Sequence, residues 1–178
     1  MLRYTLYEIR RSVLSFSSLF YTIIMPVGLY LLFGALQDYA KIKVADGNAA
    51  AYVMIGIALY GAISCTVSIS GLTVVENVAG WGRQLGLTPM NTGKYLLSKC
   101  CVAFIMAAVP ITAVNIVARM TKIDMPLKQQ IASAALSILC AMVFGFFGLA
   151  IGFLVPSESA VGIANGILVV FSFFGTLF

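Results

Sequence analysis

Residues 131–155 read IASAALSILCAMVFGFFGLAIGFLV, twenty-five consecutive positions without a charged side chain. Polar and apolar residues do not alternate along this stretch, as they would in the strands of a membrane β-barrel. A helix needs about 20 predominantly apolar residues to cross the hydrocarbon core of a bilayer. The stretch therefore predicts a transmembrane helix rich in small residues.

The composition of the whole chain agrees with this prediction. Of its 178 residues, 61% are hydrophobic and 10% are charged, which is typical of an integral membrane protein. The uncharged runs between clusters of charge predict an all-α polytopic fold, with one transmembrane domain over residues 1–178. The predicted spans lie at about residues 16–36, 51–75, 96–117, 131–154 and 160–178.

The first fifteen residues predict an amphipathic helix that lies in the membrane interface. Apolar residues recur at spacings of three and four, while the three arginines of this segment fall off the apolar stripe. The stripe comprises Leu2, Leu6, Ile9 and Val13. A cleaved signal peptide is the alternative for the first span, but its uncharged run is too long for a signal sequence.

The arginines near the first span favour a cytoplasmic N-terminus, because basic residues there resist translocation. This orientation puts the loops near 76–95 and 155–159 inside, and those near 37–50 and 118–130 outside. The basic residues of the two sides are nearly balanced, so the N-terminal arginines carry the prediction.

The chain offers few groups for enzyme chemistry. It has no histidine, and its four cysteines, which lie in or beside predicted spans, fit a packing role better than a metal or haem site. Gly93 and Lys94 resemble the end of a phosphate-binding loop, but Thr88 replaces its first glycine and Tyr95 its final Ser or Thr. We therefore expect no catalytic residue, metal or cofactor in this chain, and no nucleic acid as a partner.

The predicted spans also give little sign of ion coupling. A gradient-driven carrier usually keeps ionisable residues within its spans, and here the evident polar side chains are neutral ones such as Thr66 and Asn165. A partner protein is therefore the favoured source of energy.

The segment between the second and third spans reads ENVAGWGRQLGLTPMNTGKYLLSK over residues 76–99. It resembles the permease subunits of the type-2 exporter branch of ABC transporters, with Asn77 and Trp81 as departures from the family pattern. The matching positions are a Glu, a Gly, a Gln-Leu pair, a Thr-Pro pair and a Lys: Glu76, Gly80, Gln84, Leu85, Thr88, Pro89 and Lys99. The amphipathic start and the first-span residues Pro26 and Gly34 are also similar to that family.

The resemblance implies that residues 76–95 contain a cytoplasmic coupling helix, which docks in a groove of a separate ABC ATPase subunit that binds ATP and Mg. The residues implied are Glu76, Gly80, Trp81, Arg83, Gln84, Leu85, Thr88 and Pro89. The alternative is an ordinary interfacial loop, anchored by Trp81 at the lipid headgroups. The family also implies a second permease copy, identical or different, in the plasma membrane.

A substrate pathway between two permeases is implied as well, built from the second and fifth spans. The residues that this implies here are Thr66, Ser70, Asn165, Phe171 and Ser172. The alternative is that these polar side chains only satisfy hydrogen bonds within the helix bundle. The pairs Gly148 with Gly152 and Gly162 with Gly166 form G-x-x-x-G motifs, which predict close packing inside the chain, with a homodimer seam less favoured.

The function predicted from these features is ATP-driven export of a drug, peptide, lipid or glycan. The alternatives are a non-transporting scaffold or assembly subunit and, less favoured, a gradient-driven carrier. The family fold has six spans, whereas this sequence accommodates five, so a truncation before the sixth span is expected.

Overall fold

The computed structural model describes residues 2–14, 19–37, 42–44, 47–81, 92–121, 123–155, 157 and 159–175. Helices account for most of them: α1 (Leu2–Leu14), α2 (Met25–Tyr30), α3 (Ala49–Glu76), α4 (Thr92–Met120), α5 (Leu127–Leu154) and α6 (Ser159–Phe174). Two π-helical turns, Phe20–Ile24 and Leu31–Ala35, flank α2, and a third, Asn77–Trp81, follows α3. Strands β1 (Lys43–Val44) and β2 (Gly47–Asn48) pair antiparallel in a short hairpin. The all-α prediction is confirmed.

Three helices of the described residues are long and apolar enough to cross a membrane, namely Ala49–Gly80, Gly93–Met120 and Leu127–Leu154. Two shorter apolar helices, Thr22–Ala35 and Ser159–Ser172, lie where the first and fifth spans are predicted.

Local sequence signals explain where α3 and α5 begin. Asn48 is the N-cap of α3, and its side chain accepts a hydrogen bond from the backbone N–H of Ala51 at 3.0 Å. Pro126 precedes α5 with an extended backbone, which ends the connection from α4 and allows the helix to start at Leu127.

Helix α3 is the centre of the bundle and packs against α4, α5, α6 and α2. Its contact with α5 is close because α5 presents a face of small residues. A Cβ atom added at Gly148 would lie 2.4 Å from the backbone oxygen of Val67, and one at Gly152 would lie 3.0 Å from that of Gly71. The G-x-x-x-G motif of α5 therefore packs within the chain, as predicted.

The second G-x-x-x-G motif, Gly162 with Gly166, does not make the close contact inside the chain that was predicted for it. A Cβ atom added at Gly162 or Gly166 of α6 would meet no atom of the described residues within 4 Å. These two glycines face open space, because α6 packs against α3 through a different face of the helix.

A polar cluster joins the ends of α4 and α5 nearest to their connection. Gln130 is buried, accepts a hydrogen bond from Nε of Arg119 at 2.6 Å, and donates one to Oδ1 of Asn115 at 2.7 Å. The Tyr30 hydroxyl lies 2.8 Å from Oγ1 of Thr121 and so ties the first span to the same end. Because the buried side chains of Gln130 and Tyr30 find hydrogen-bond partners here, they help to fix this end of the bundle.

Candidate functional site

Lys99 lies in the first part of α4 and is buried, with 8% of its side chain exposed. Its ammonium group forms salt bridges with the carboxylates of Glu8, from α1, and Glu76, from the end of α3; the distance to Oε2 of Glu76 is 2.8 Å. We call Glu8, Lys99 and Glu76 the ion triad. A buried charge is tolerated only when it is paired and hydrogen-bonded, so the triad makes the positions of three helices interdependent.

Aromatic rings cover the ion triad. The hydroxyl of Tyr95 donates a hydrogen bond to Oε2 of Glu76 at 3.2 Å, and the ring of Tyr95 lies 5.6 Å from the Lys99 ammonium, within cation–π range. The ring of Tyr4 lies 6.3 Å from that of Tyr95. Burial and a hydrogen bond to the Glu8 carboxylate raise the pKa of Tyr4 above its ordinary value.

The triad ties together the ends of the predicted coupling segment. Glu76 ends α3 on the N-terminal side of that segment, and Lys99 lies in α4 on its C-terminal side. A hydrogen bond of 2.7 Å between the hydroxyls of Thr5 and Ser98 adds a second link between α1 and α4. A force on residues 77–91 would therefore be transmitted to α1, α3 and α4 together.

The structure places three of the predicted coupling residues. Glu76 belongs to the triad, Gly80 lies in the π-helical turn Asn77–Trp81, and Trp81 is the last residue of that turn. The others lie outside the described residues: Arg83, Gln84, Leu85, Thr88 and Pro89.

The backbone of Gly80 has φ 103° and ψ 2°, a conformation that residues with a side chain rarely adopt. We expect Gly80→Ala to destabilise the turn by about 1–2 kcal/mol, because a Cβ atom is disfavoured at positive φ even though no atom of the described residues lies within 4 Å of it. Hydrogen exchange of residues 77–81 should then be about tenfold faster. Gly93→Ala is the matched control, since Gly93 also has no neighbour of its Cβ position within the described part of the chain but has no positive φ. Equal exchange in both variants would contradict this account.

A partly enclosed cavity of about 790 Å³ opens beside the triad. It is lined by α1, the first span, α3, α4 and α6, with Glu8, Glu76 and Lys99 in its wall. Most of the other lining side chains are apolar, and Gly162 and Gly166 contribute bare backbone on the α6 side.

Asn165 of α6 lines this cavity and holds α6 against α3. Its Oδ1 accepts a hydrogen bond from Ser64 at 2.5 Å, and its Nδ2 donates to Oγ of Ser68 and to the backbone oxygen of Val161, both at 2.9 Å. Both hydrogens of the amide are therefore engaged, and Asn165 combines a place in the cavity wall with a packing role.

The other predicted pathway residues point elsewhere. Thr66 and Ser70 face α5, where they are the nearest neighbours of a Cβ atom added at Gly145. Ser172 is buried and its hydroxyl donates to the backbone oxygen of Leu168 at 2.8 Å, whereas Phe171 is exposed and its ring lies 6.3 Å from that of Phe147. The structure thus brings Asn165 alone of these five residues to the cavity.

Sequence reasoning missed the ion triad. It treated the spans as free of ionisable groups, and the structure corrects this, because Lys99 is buried within the apolar helix Gly93–Met120. The sequence did contain a signal for the triad. Glu8 is an acid on the predicted interfacial helix, and it shares one face of that helix with Tyr4, four residues earlier. An acid on an interfacial helix could have been matched with the lone lysine inside a span.

Comparison with known proteins identifies a family. A family model described as ABC-2 type transporter matches residues 2–178. No curated protein and no solved structure gives a significant match. The match covers almost the whole chain, including the ion triad, the cavity and the predicted coupling segment.

Proposed function

The chain belongs to the ABC-2 type transporter family, and we propose that it exports its substrate with energy from ATP hydrolysis in a separate ABC ATPase. Family membership makes it a multi-pass membrane protein and a transporter permease subunit, and such permeases typically work with an ABC ATPase. ATP and Mg would bind to that partner, and a second permease copy would complete the assembly. The plasma membrane and a cytoplasmic N-terminus are part of the same proposal.

The ion triad is the observation that supports this proposal most directly. Residues 77–91 connect two long helices whose facing ends are salt-bridged to each other and to α1. An ATPase that pushes on this segment would act on α3, α4 and α1 together, because the ion triad joins the three helices. The cavity is bordered by these same helices, so their movement would change its access.

A gradient-driven carrier is the less favoured alternative. Such carriers typically keep ionisable groups at membrane depth. The ion triad includes Glu8 of α1, the helix predicted to lie in the membrane interface, so its charges do not by themselves indicate this function. The two functions differ in their energy source: export by the ABC route needs the ATPase, whereas a carrier would work in its absence and stop when the gradient is dissipated.

The coupling assignment is tested by copurification with the ATPase. We expect Leu85→Asp to abolish binding and Trp81→Ala to weaken it about tenfold or more, because apolar residues in a docking groove contribute most of the binding energy. Leu127→Asp is the matched control, since Leu127 is an exposed leucine at the opposite end of the bundle. Retention of the ATPase by both variants, with membrane insertion intact, would refute the coupling role of this segment.

A further inference from the structure

The cavity beside the ion triad is a long groove. On α3 its wall runs from Tyr60 to Glu76, a length of about 24 Å at the helical rise of about 1.5 Å per residue. On α6 it runs from Val161 to Val169, along the face that carries Gly162 and Gly166. The groove therefore follows much of the thickness of the bilayer, with its charged end at α1.

The glycines of α6 show that no helix of the described chain fills this groove. A Cβ atom at either Gly162 or Gly166 would be free of neighbours within 4 Å, whereas one at Gly148 would clash with the backbone of Val67. The same motif thus closes a helix contact in α5 and leaves a slot open in α6. Because neither glycine has a side chain, only backbone atoms of α6 border the slot at these two positions.

The walls of the groove favour an apolar occupant. Met25, Leu29, Leu72 and Met106 are among the side chains that line it. The amide of Asn165 already uses both of its hydrogens, and the Ser64 and Ser68 hydroxyls also donate within the bundle. A sugar or a polar peptide would leave its own donors and acceptors unsatisfied there.

The charged end of the groove is electrically balanced. Its lining includes two carboxylates, from Glu8 and Glu76, and two cations, from Lys99 and Arg11. Among the described residues the salt bridges use Lys99 but not Arg11, and Lys99 and Tyr95 both bind Oε2 of Glu76. Within the described part of the chain, the guanidinium of Arg11 and the Oε1 atom of Glu76 therefore remain for a ligand.

From this arrangement we infer that the groove binds a zwitterionic amphiphile from the bilayer, with its phosphate at Arg11, its ammonium group at Glu76 and its acyl chain along Gly162 and Gly166. A balanced pair of charges suits a balanced headgroup better than a purely anionic or cationic one, which would leave one protein charge without a counter-charge. The inference that such an amphiphile is the exported substrate rests on the proposed function. The inference that the groove binds it does not.

Photolabelling of the full chain in nanodiscs tests the site. The probe is a lysophosphatidylethanolamine with a diazirine in its acyl chain, compared with a fatty acid and an alkyl trimethylammonium ion of equal chain length. Labelled residues are found by mass spectrometry. We expect the zwitterionic probe to label residues 60–76 and 161–169 about tenfold more than the exposed face of α5.

Two pairs of variants test whether the labelling depends on the slot and on Arg11. Gly166→Leu should reduce groove labelling about tenfold by filling the slot, whereas Gly28→Leu should not, since Gly28 is equally free of neighbours but lies outside the groove. Arg11→Gln should reduce labelling by the zwitterionic probe several-fold while sparing the cationic one, and Arg10→Gln, at a neighbouring exposed arginine, should change neither.

Even labelling of all lipid-facing surfaces, or labelling insensitive to Gly166→Leu, would overturn the inference. So would a crosslink between two copies through Gly166→Cys that excludes the probe, because a second chain would then occupy the slot. Labelling needs no ATPase. If the unsubstituted chain failed to copurify with an ATPase but was labelled as expected, the proposed function alone would be refuted. If it copurified with the ATPase but the groove was not labelled, the groove alone would be refuted.

Discussion

Lys99→Met should detach α1 from the helix bundle. The substitution keeps the length of the side chain but leaves Glu8 and Glu76 close together without their shared cation. Removal of one partner from a buried ion pair typically costs about 3–5 kcal/mol. Because Glu76 is 27% exposed and can regain some water, we expect a loss near the lower end of that range. Hydrogen exchange of residues 2–14 and the unfolding midpoint of the detergent-solubilised chain measure the effect.

Lys94→Met is the control for this substitution, since Lys94 is an exposed lysine in the first turn of the same helix. The combined variant Lys99→Met with Glu8→Gln should recover part of the loss, because it removes one of the two uncompensated carboxylates. If Lys99→Met and Lys94→Met were equally stable and protected α1 equally, the triad would not hold α1.

The ion triad also shows how much of the structure could be predicted from the sequence. The long uncharged runs predicted where the apolar helices lie, because only a helix satisfies its backbone groups locally within a bilayer. The contact between Glu8 and Lys99 could not be read in this way, since the two residues are 91 positions apart and pair only after α1 folds back against α4. Local periodicity carries no information about such a docking angle.

The predicted pathway residue Thr66 illustrates a second limit. Ser68, which was not among the predicted pathway residues, lies two positions further along α3, so the two side chains point to different sides of the helix. The sequence identifies both as polar, but only the placement of neighbouring helices decides that Thr66 faces Gly145 of α5 and Ser68 the cavity. The rotation of a span about its own axis is set by packing, and α3 is apolar on nearly every side.

Gly148→Ala should separate α3 from α5, although the change adds a single methyl group. The new Cβ atom would lie 2.4 Å from the backbone oxygen and 2.8 Å from the Cα atom of Val67. A backbone atom cannot rotate out of the way as a side chain can, so the helices must move apart and lose contacts along their whole interface. Such overpacking typically costs about 1–3 kcal/mol, and we expect the upper end here because the clash involves backbone on both sides.

Gly162→Ala is the decisive comparison, since it makes the same change in the other G-x-x-x-G motif, where no described atom lies within 4 Å of the added one. There the helix should gain up to about 1 kcal/mol from the better helix propensity of alanine. The two variants are therefore expected to shift the unfolding midpoint in detergent in opposite directions. Equal destabilisation by both would mean that a neighbouring chain packs against α6 as closely as α3 packs against α5, and the open groove would then be an interface.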